Sequence, residues 1–244
     1  MDRTQMLRHG IFGGAIGAAF FGVALAAAFS PERETSGWRS SIEPSGREES
    51  RTLEVADFEA LALRGSYKLE LTAGQAYRVT LTGDTALLDK VDAAVEGQTL
   101  RIGLEEGMRW GDIGQLEARV GLPTLRALTI DGRVDAMLAA LDSDNLALTI
   151  NGAGEIEANG VCGRLSLTTN GAGDFAGREL RCKSVAITIN GAGDAAVYAS
   201  QSLSSTINGV GNVTVYGNPP SVSKTRSGFG SVTIMTTRQT KEGE

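Results

Sequence analysis

Four acidic residues recur at near-even intervals: Asp135, Glu155, Asp174 and Asp194, with Asn212 and Ser231 extending the series. Carboxylates at such spacing have three chemistries open to them. They can bridge calcium through hard oxygen ligands. They can work as a pair about 5 Å apart on a glycosidic bond. Or they can stand as a solvated acidic ridge. The calcium-binding nonapeptide reads G-G-x-G-x-D on a shorter period, roughly half of that seen here. Glu155, Asp174 and Asp194 instead follow directly on the second glycine of an Asn-Gly-Ala-Gly motif, which favours the solvated ridge. The chain between motifs is short and leaves little material for a substrate cleft. A carboxylate-dependent enzyme on polysaccharide is therefore the weaker alternative, and fold likeness to polysaccharide-acting β-helices does not carry function.

Cys162 and Cys182 are the only cysteines, each eight residues before the asparagine of the following motif, Asn170 and Asn190. Stacked repeats would set them on adjacent levels with Cα atoms about 5 Å apart, which a disulfide can bridge. An oxidising compartment would favour the bond; stacked free thiols are the alternative. His9 is the single histidine, which excludes His-based triads and His-rich metal sites. No catalytic residue, cofactor or metal ligand is assigned.

A repeat must position these residues. Asn151-Gly152, Asn170-Gly171, Asn190-Gly191 and Asn208-Gly209 are preceded by Asp131-Gly132 and followed by Ser227-Gly228, in steps of 20, 19, 20, 18 and 19. A second glycine follows at Gly154, Gly173, Gly193, Gly211 and Gly230, while Val134 takes that place in the first copy. With the Asn, Asp or Ser as position n, n-2 is always Thr and n-4 always Ala or Ser. Positions n-1, n-3 and n-5 are mainly apolar, and n+5 and n+7 are apolar or small. This is period-2 alternation on both sides of a glycine corner. A unit this small cannot bury its apolar face alone, whereas stacked copies share one core with like residues about 4.8 Å apart. The expectation is an all-β fold, a parallel β-helix or solenoid with 18–20-residue repeats. Its asparagines would form a hydrogen-bonded ladder. A β-sandwich is the runner-up, but it gives no reason for in-register Thr and Asn columns. The regular Thr column resembles an ice-binding face, against the simpler reading that Thr suits the solvated side of a strand.

Before residue 131 the strand-like pairs are less regular, and they read as early divergent rungs. Thr85–Val91 reads as one helical turn. The 244 residues carry 23 Lys and Arg against 29 Asp and Glu, a net charge of -6, and include 32 glycines. An acidic chain with no Lys/Arg cluster reads as a poor nucleic-acid binder. Its 41% hydrophobic content is too rich for disorder.

Arg3 and Arg8 precede an uncharged apolar run, Ile11 to Phe29. Residues 1–29 read as a signal peptide or an N-terminal membrane anchor. Either places the rest outside the cytoplasm. Residues 30–50 read as a polar linker, 51–236 as the solenoid domain and 237–244 as a flexible tail.

The motifs carry a resemblance. Residues of about 53–235 resemble the putative auto-transporter adhesin, head GIN domain family. The resemblance rests on Gly65–Leu71 (GSYKLEL), Leu87–Val91 (LLDKV), Leu100–Leu104 (LRIGL), Leu122–Gly132 (LPTLRALTIDG), the Asn-Gly-Ala-Gly copies and Val215–Pro220 (VYGNPP). It implies a β-solenoid of the cell envelope, periplasmic, surface-held or secreted, with adhesion as its role and no known catalytic residue. No alternating run of membrane-barrel strands follows the last repeat, so a free-standing head-like domain is expected. Its partners would be a surface protein or glycan, and its open end rungs could self-associate. A purely structural scaffold is a further alternative.

Overall fold

The computed structural model describes residues 42–106, 108, 110 and 114–235. The apolar run 11–29, most of the linker and the tail 237–244 lie outside the described residues. Among the described residues no helix is long and apolar enough to cross a membrane.

The strands are β1 (Glu48–Leu53), β2 (Ala60–Ala73), β3 (Arg78–Asp84), β4 (Val91–Glu96), β5 (Thr99–Leu104), β6 (Leu116–Leu122), β7 (Ala127–Ile150), β8 (Ala153–Thr169), β9 (Ala172–Ile189), β10 (Ala195–Ile207), β11 (Val210–Tyr216), β12 (Ser221–Arg226) and β13 (Phe229–Met235). One helical turn, α1 (Thr85–Leu88), interrupts them. Parallel pairing runs from β2 through β7, β8, β9 and β10, then to β11 and β12, and from β11 to β13. The fold is a β-solenoid, as the repeat predicts.

Each turn buries the columns that the alternation marks. Leu128, Leu148, Leu167 and Ile187 stack at n-3, and Ile130, Ile150, Ile189 and Ile207 at n-1, all essentially inaccessible. Phe175 at n+5 fills the space left by Gly177 at n+7, where a Cβ would collide with the Phe175 ring. Burying such side chains stabilises by about 1.5–3 kcal/mol each, which a single 19-residue unit could not achieve alone.

The glycine columns have a steric cause. A Cβ on Gly152 would fall on the carbonyl oxygen of Gly132, and one on Gly171 on that of Gly152. The same clash repeats up to Gly228 against Gly209. Stacked corners approach too closely for any side chain. The corner at n+9 is different. Gly160 and Gly217 take positive φ there, and so does Ala140, whose N–H is held by the Asn159 side chain at 3.0 Å.

The part before residue 131 departs from the expected divergent rungs. β2 is a true rung: Arg64 and Gly65 register with Asp131 and Gly132. Beneath it, β5 and β6 pair in parallel with its two halves. β4, β3 and β1 then fold back antiparallel. The free edge of β2 is thus covered by a two-part cap, and antiparallel hairpins do this because they need no return limb. The linker also ends earlier than the polarity of residues 30–50 implies. β1 starts at Glu48, and the Asp84 carboxylate accepts from the N–H groups of Ser45 and Gly46 at 3.0 and 2.8 Å while capping α1 through Ala86 N–H.

The other end is closed by charge. In the last rung, Lys224 and Arg226 register with Ser205 and Ile207, in the core columns n-3 and n-1. Their heads reach across the stack to the carbonyls of Val232 and Gly230 at 2.9 and 2.6 Å. Inward-pointing cations on an edge strand discourage pairing with another chain.

Candidate functional site

Asp131, Asn151, Asn170, Asn190 and Asn208 form a continuous side-chain ladder on one edge of the solenoid. Each amide Nδ2 donates to the Oδ1 one rung below, at 2.7, 2.8, 2.7 and 2.9 Å in ascending order. Asp131 ends the ladder as acceptor only. That fixes the orientation of every amide above it, since Asn151 must present its NH2 to the carboxylate and its oxygen upward.

The n+4 acids form a second column, whose upper part is knitted to the backbone. Asp174 accepts from the N–H of Asp194 at 2.8 Å. Asp194 accepts from both the N–H and the side-chain amide of Asn212, at 2.6 and 3.1 Å, and Asn212 in turn accepts from the Ser231 hydroxyl at 2.9 Å. These carboxylates replace backbone ladder bonds at a point where β9 and β10 are not continuously paired. Lower down, Asp135 and Glu155 are exposed beside Lys68 and Glu70 along a shallow depression. Among the described residues no three His, Cys, Asp or Glu side chains group so as to hold a metal ion. From Thr149 to Thr206 the Thr column at n-2 is half-exposed, between the exposed n and n-4 columns.

Cys162 and Cys182 are disulfide-bonded, with Cα atoms 4.4 Å apart on adjacent rungs in register. Both are buried, so the bond staples the return limb from inside. Tyr67 is buried in the first rung, with its hydroxyl donating to the carbonyl of Ile102 at 3.3 Å. Burial pushes its phenol well above the usual range. It packs against Trp110, a structural pair closing the cap.

One cluster escaped the sequence reading. Arg181 lies over the Tyr198 ring at 4.9 Å, and Arg178 over the Tyr216 ring at 4.7 Å. Arg178, Arg181 and Lys183 fall within six residues of sequence, which is the signal that was available. The tyrosines join them only through rung register, Tyr198 pairing with Arg181 on one side and Tyr216 on the other.

The chain belongs to the family described as putative auto-transporter adhesin, head GIN domain, whose model matches residues 57–219. A crystal structure of a putative adhesin from Bacteroides fragilis matches with a TM-score of 0.65 at 20% identity, covering 80% of this chain and 100% of that one. A putative lipid binding protein from Parabacteroides distasonis gives 0.47 at 20% identity, covering 81% and 100%. A putative adhesin from Parabacteroides merdae gives 0.46 at 15%, covering 81% and 100%. At these identities the likeness is one of fold. A comparison with curated proteins finds no match.

Proposed function

We propose that this head GIN domain is an adhesin-like, non-enzymatic surface-contact module of the cell envelope, lying outside the cytoplasm and binding a surface protein or glycan. The observation that carries the reading is the layout of its polar residues. They stand in straight columns along the open sides of a rod, and two of the column's carboxylates, Asp174 and Asp194, are engaged by backbone N–H groups of the next rung. A hydrolytic pair needs one carboxyl free to protonate a leaving group and a cleft that desolvates it. A column fixed by the fold suits recognition by a long, flat surface. The family name and the adhesin-like neighbour point the same way.

The test is a panel of glycans and surface proteins presented to the purified full chain, with binding and turnover read together. Saturable binding without product formation is expected. Glycan cleavage that disappears in Asp174→Asn or Asp194→Asn would replace this reading with a carboxylate-dependent enzyme.

A further inference from the structure

Between Asn151 and Tyr216 the charges are sorted by limb. The cations there are Arg164, Arg178, Arg181 and Lys183, all on the return limb and all exposed. The anions Glu155, Glu157, Asp174 and Asp194 all lie on the limb that follows the glycine corner. Glu179 alone crosses over, 3.8 Å from Arg178. Farther down the return limb, on the rung of Asp131, stand Asp142 and Asp144. A chain with net charge -6 therefore carries a basic band on one side of its upper rungs.

The band is built, not merely charged. Two half-buried tyrosines in register each carry a guanidinium group over the ring. Stacked Arg is weakly hydrated and its planar donors are pre-oriented for bidentate bonds to an oxyanion. Among the described residues Arg181, Lys183 and Arg164 form no ion pair. Arg178, Arg181 and Lys183 lie along one strand, β9, and Arg164 on the rung below it, so the positive charge follows the return limb of that strand.

We propose that this band, Arg164, Arg178, Arg181 and Lys183 with Tyr198 and Tyr216, binds an acidic polysaccharide laid along the return limb of β9. A linear polymer with repeating carboxylate or sulfate groups matches donors set two or three residues apart along one strand, and the charge of the band complements it. The tyrosine rings are half-buried under the guanidinium groups and offer no protruding wedge for a lipid surface. This inference rests on the surface-contact reading and names its ligand class and its face.

The experiment measures binding of the full chain to polygalacturonate, dextran sulfate and neutral dextran over a range of salt. Vesicles of anionic phospholipid and duplex DNA serve as competing polyanions. The expected result is saturable binding to the two acidic polymers and none to neutral dextran, with affinity falling as salt rises. Arg178→Gln with Arg181→Gln should weaken it about tenfold or more. Tyr198→Leu should weaken it with both cations still present, because the platform is gone. Arg133→Gln, an exposed cation off the band, should change nothing. Thermal melting of each variant shows that it is folded. The proposal falls if neither acidic polymer binds, if Arg133→Gln costs as much as the double variant, or if vesicles or DNA bind as tightly. Binding confined to a neutral glycan or a protein would overturn this inference and leave the surface-contact reading standing. Cleavage of polygalacturonate would overturn that reading instead.

Discussion

The asparagine ladder has a direction, and the direction can be tested. Asn170 donates to Asn151 Oδ1 at 2.8 Å and accepts from Asn190 at 2.7 Å. Asn170→Asp keeps the acceptor but replaces the donor with a carboxylate oxygen facing another oxygen. One exposed hydrogen bond is lost, worth about 0.5–1 kcal/mol. Oxygen–oxygen repulsion at the surface adds a comparable amount, for a total of about 1.5 kcal/mol. For a domain of this size that lowers the Tm by about 3–6 °C. Asp131→Asn, by contrast, should be nearly silent, because the terminal position only accepts and an amide oxygen accepts as well.

The decisive measurement is the double variant. With Asp131→Asn in place, the amides at 131 and 151 are free to turn over and donate upward, into the carboxylate introduced at 170. All the ladder bonds are then satisfied again. Asp131→Asn should therefore rescue Asn170→Asp by about 1 kcal/mol, a coupling between side chains two rungs apart. The pH dependence has a definite sign. In the single variant the new carboxyl faces an acceptor, so folding raises its pKa. The deficit is full above that pKa and shrinks as the pH falls through it, when the protonated group can donate. Differential scanning calorimetry of the four proteins between pH 7 and pH 4 reads all of this. Equal costs for the two single changes, no rescue, or a gap between Asn170→Asp and parent that stays constant with pH would refute the directional ladder.

Four further outcomes follow from the packing. Cys162→Ala with Cys182→Ala, which opens a disulfide spanning 20 residues, should cost about 3 kcal/mol in urea denaturation, and intact-mass analysis of the parent purified without reductant should find no free thiol. Gly191→Ala places a methyl on the carbonyl of Gly171 and should cost about 2 kcal/mol or more, while Ala172→Ser on the exposed side of the same corner should be neutral by melting. Ser205 is buried with no partner for its hydroxyl among the described residues, so Ser205→Ala should stabilise by about 1 kcal/mol. Lys224→Leu with Arg226→Ile removes the cations that cover the upper core and should shift light scattering toward larger, concentration-dependent species; an unchanged molar mass would show that the charges do not guard that end.

What was legible in the sequence was whatever the stacking enforces once per turn. Corner glycines are dictated by a clash with the rung below, asparagines by bonds to their own kind, and the cysteines by adjacency on neighbouring rungs. These constraints repeat at the period of the fold, so they appear as columns. The first rung was hidden although its sequence is close, Ala60–Gly65 reading ALALRG against ALTIDG at Ala127–Gly132. The cap strands β3 to β6 intervene between the two, and a break of that length removes the period that reveals a repeat. The cap itself obeys antiparallel pairing, which leaves only ordinary alternation in the sequence. The Arg–Tyr band was illegible for another reason. Arg178, Tyr198 and Tyr216 share position n+8 but differ in residue type, so no column of one kind appears, and a register shift between Val197 and Tyr198 sets Arg181 opposite Tyr198.

The two ends constrain where function can sit. A solenoid exposes unpaired backbone at each end, and both ends here are dealt with, one by antiparallel strands and the other by Lys224 and Arg226 folded over the core. Among the described residues β12 and β13 each pair on one side only, so at that end the guard is charge and not pairing. The glycine edge is occupied by its own ladder, since Asn151, Asn170 and Asn190 both donate and accept within the column. The upper acids are likewise held by the next rung. Among the described residues the return-limb cations Arg164, Arg181 and Lys183 form no ion pair, so their donors remain unspent. A contact module built on this rod would have to recruit its partner there, and a partner that reads donors in a line must itself present acceptors in a line.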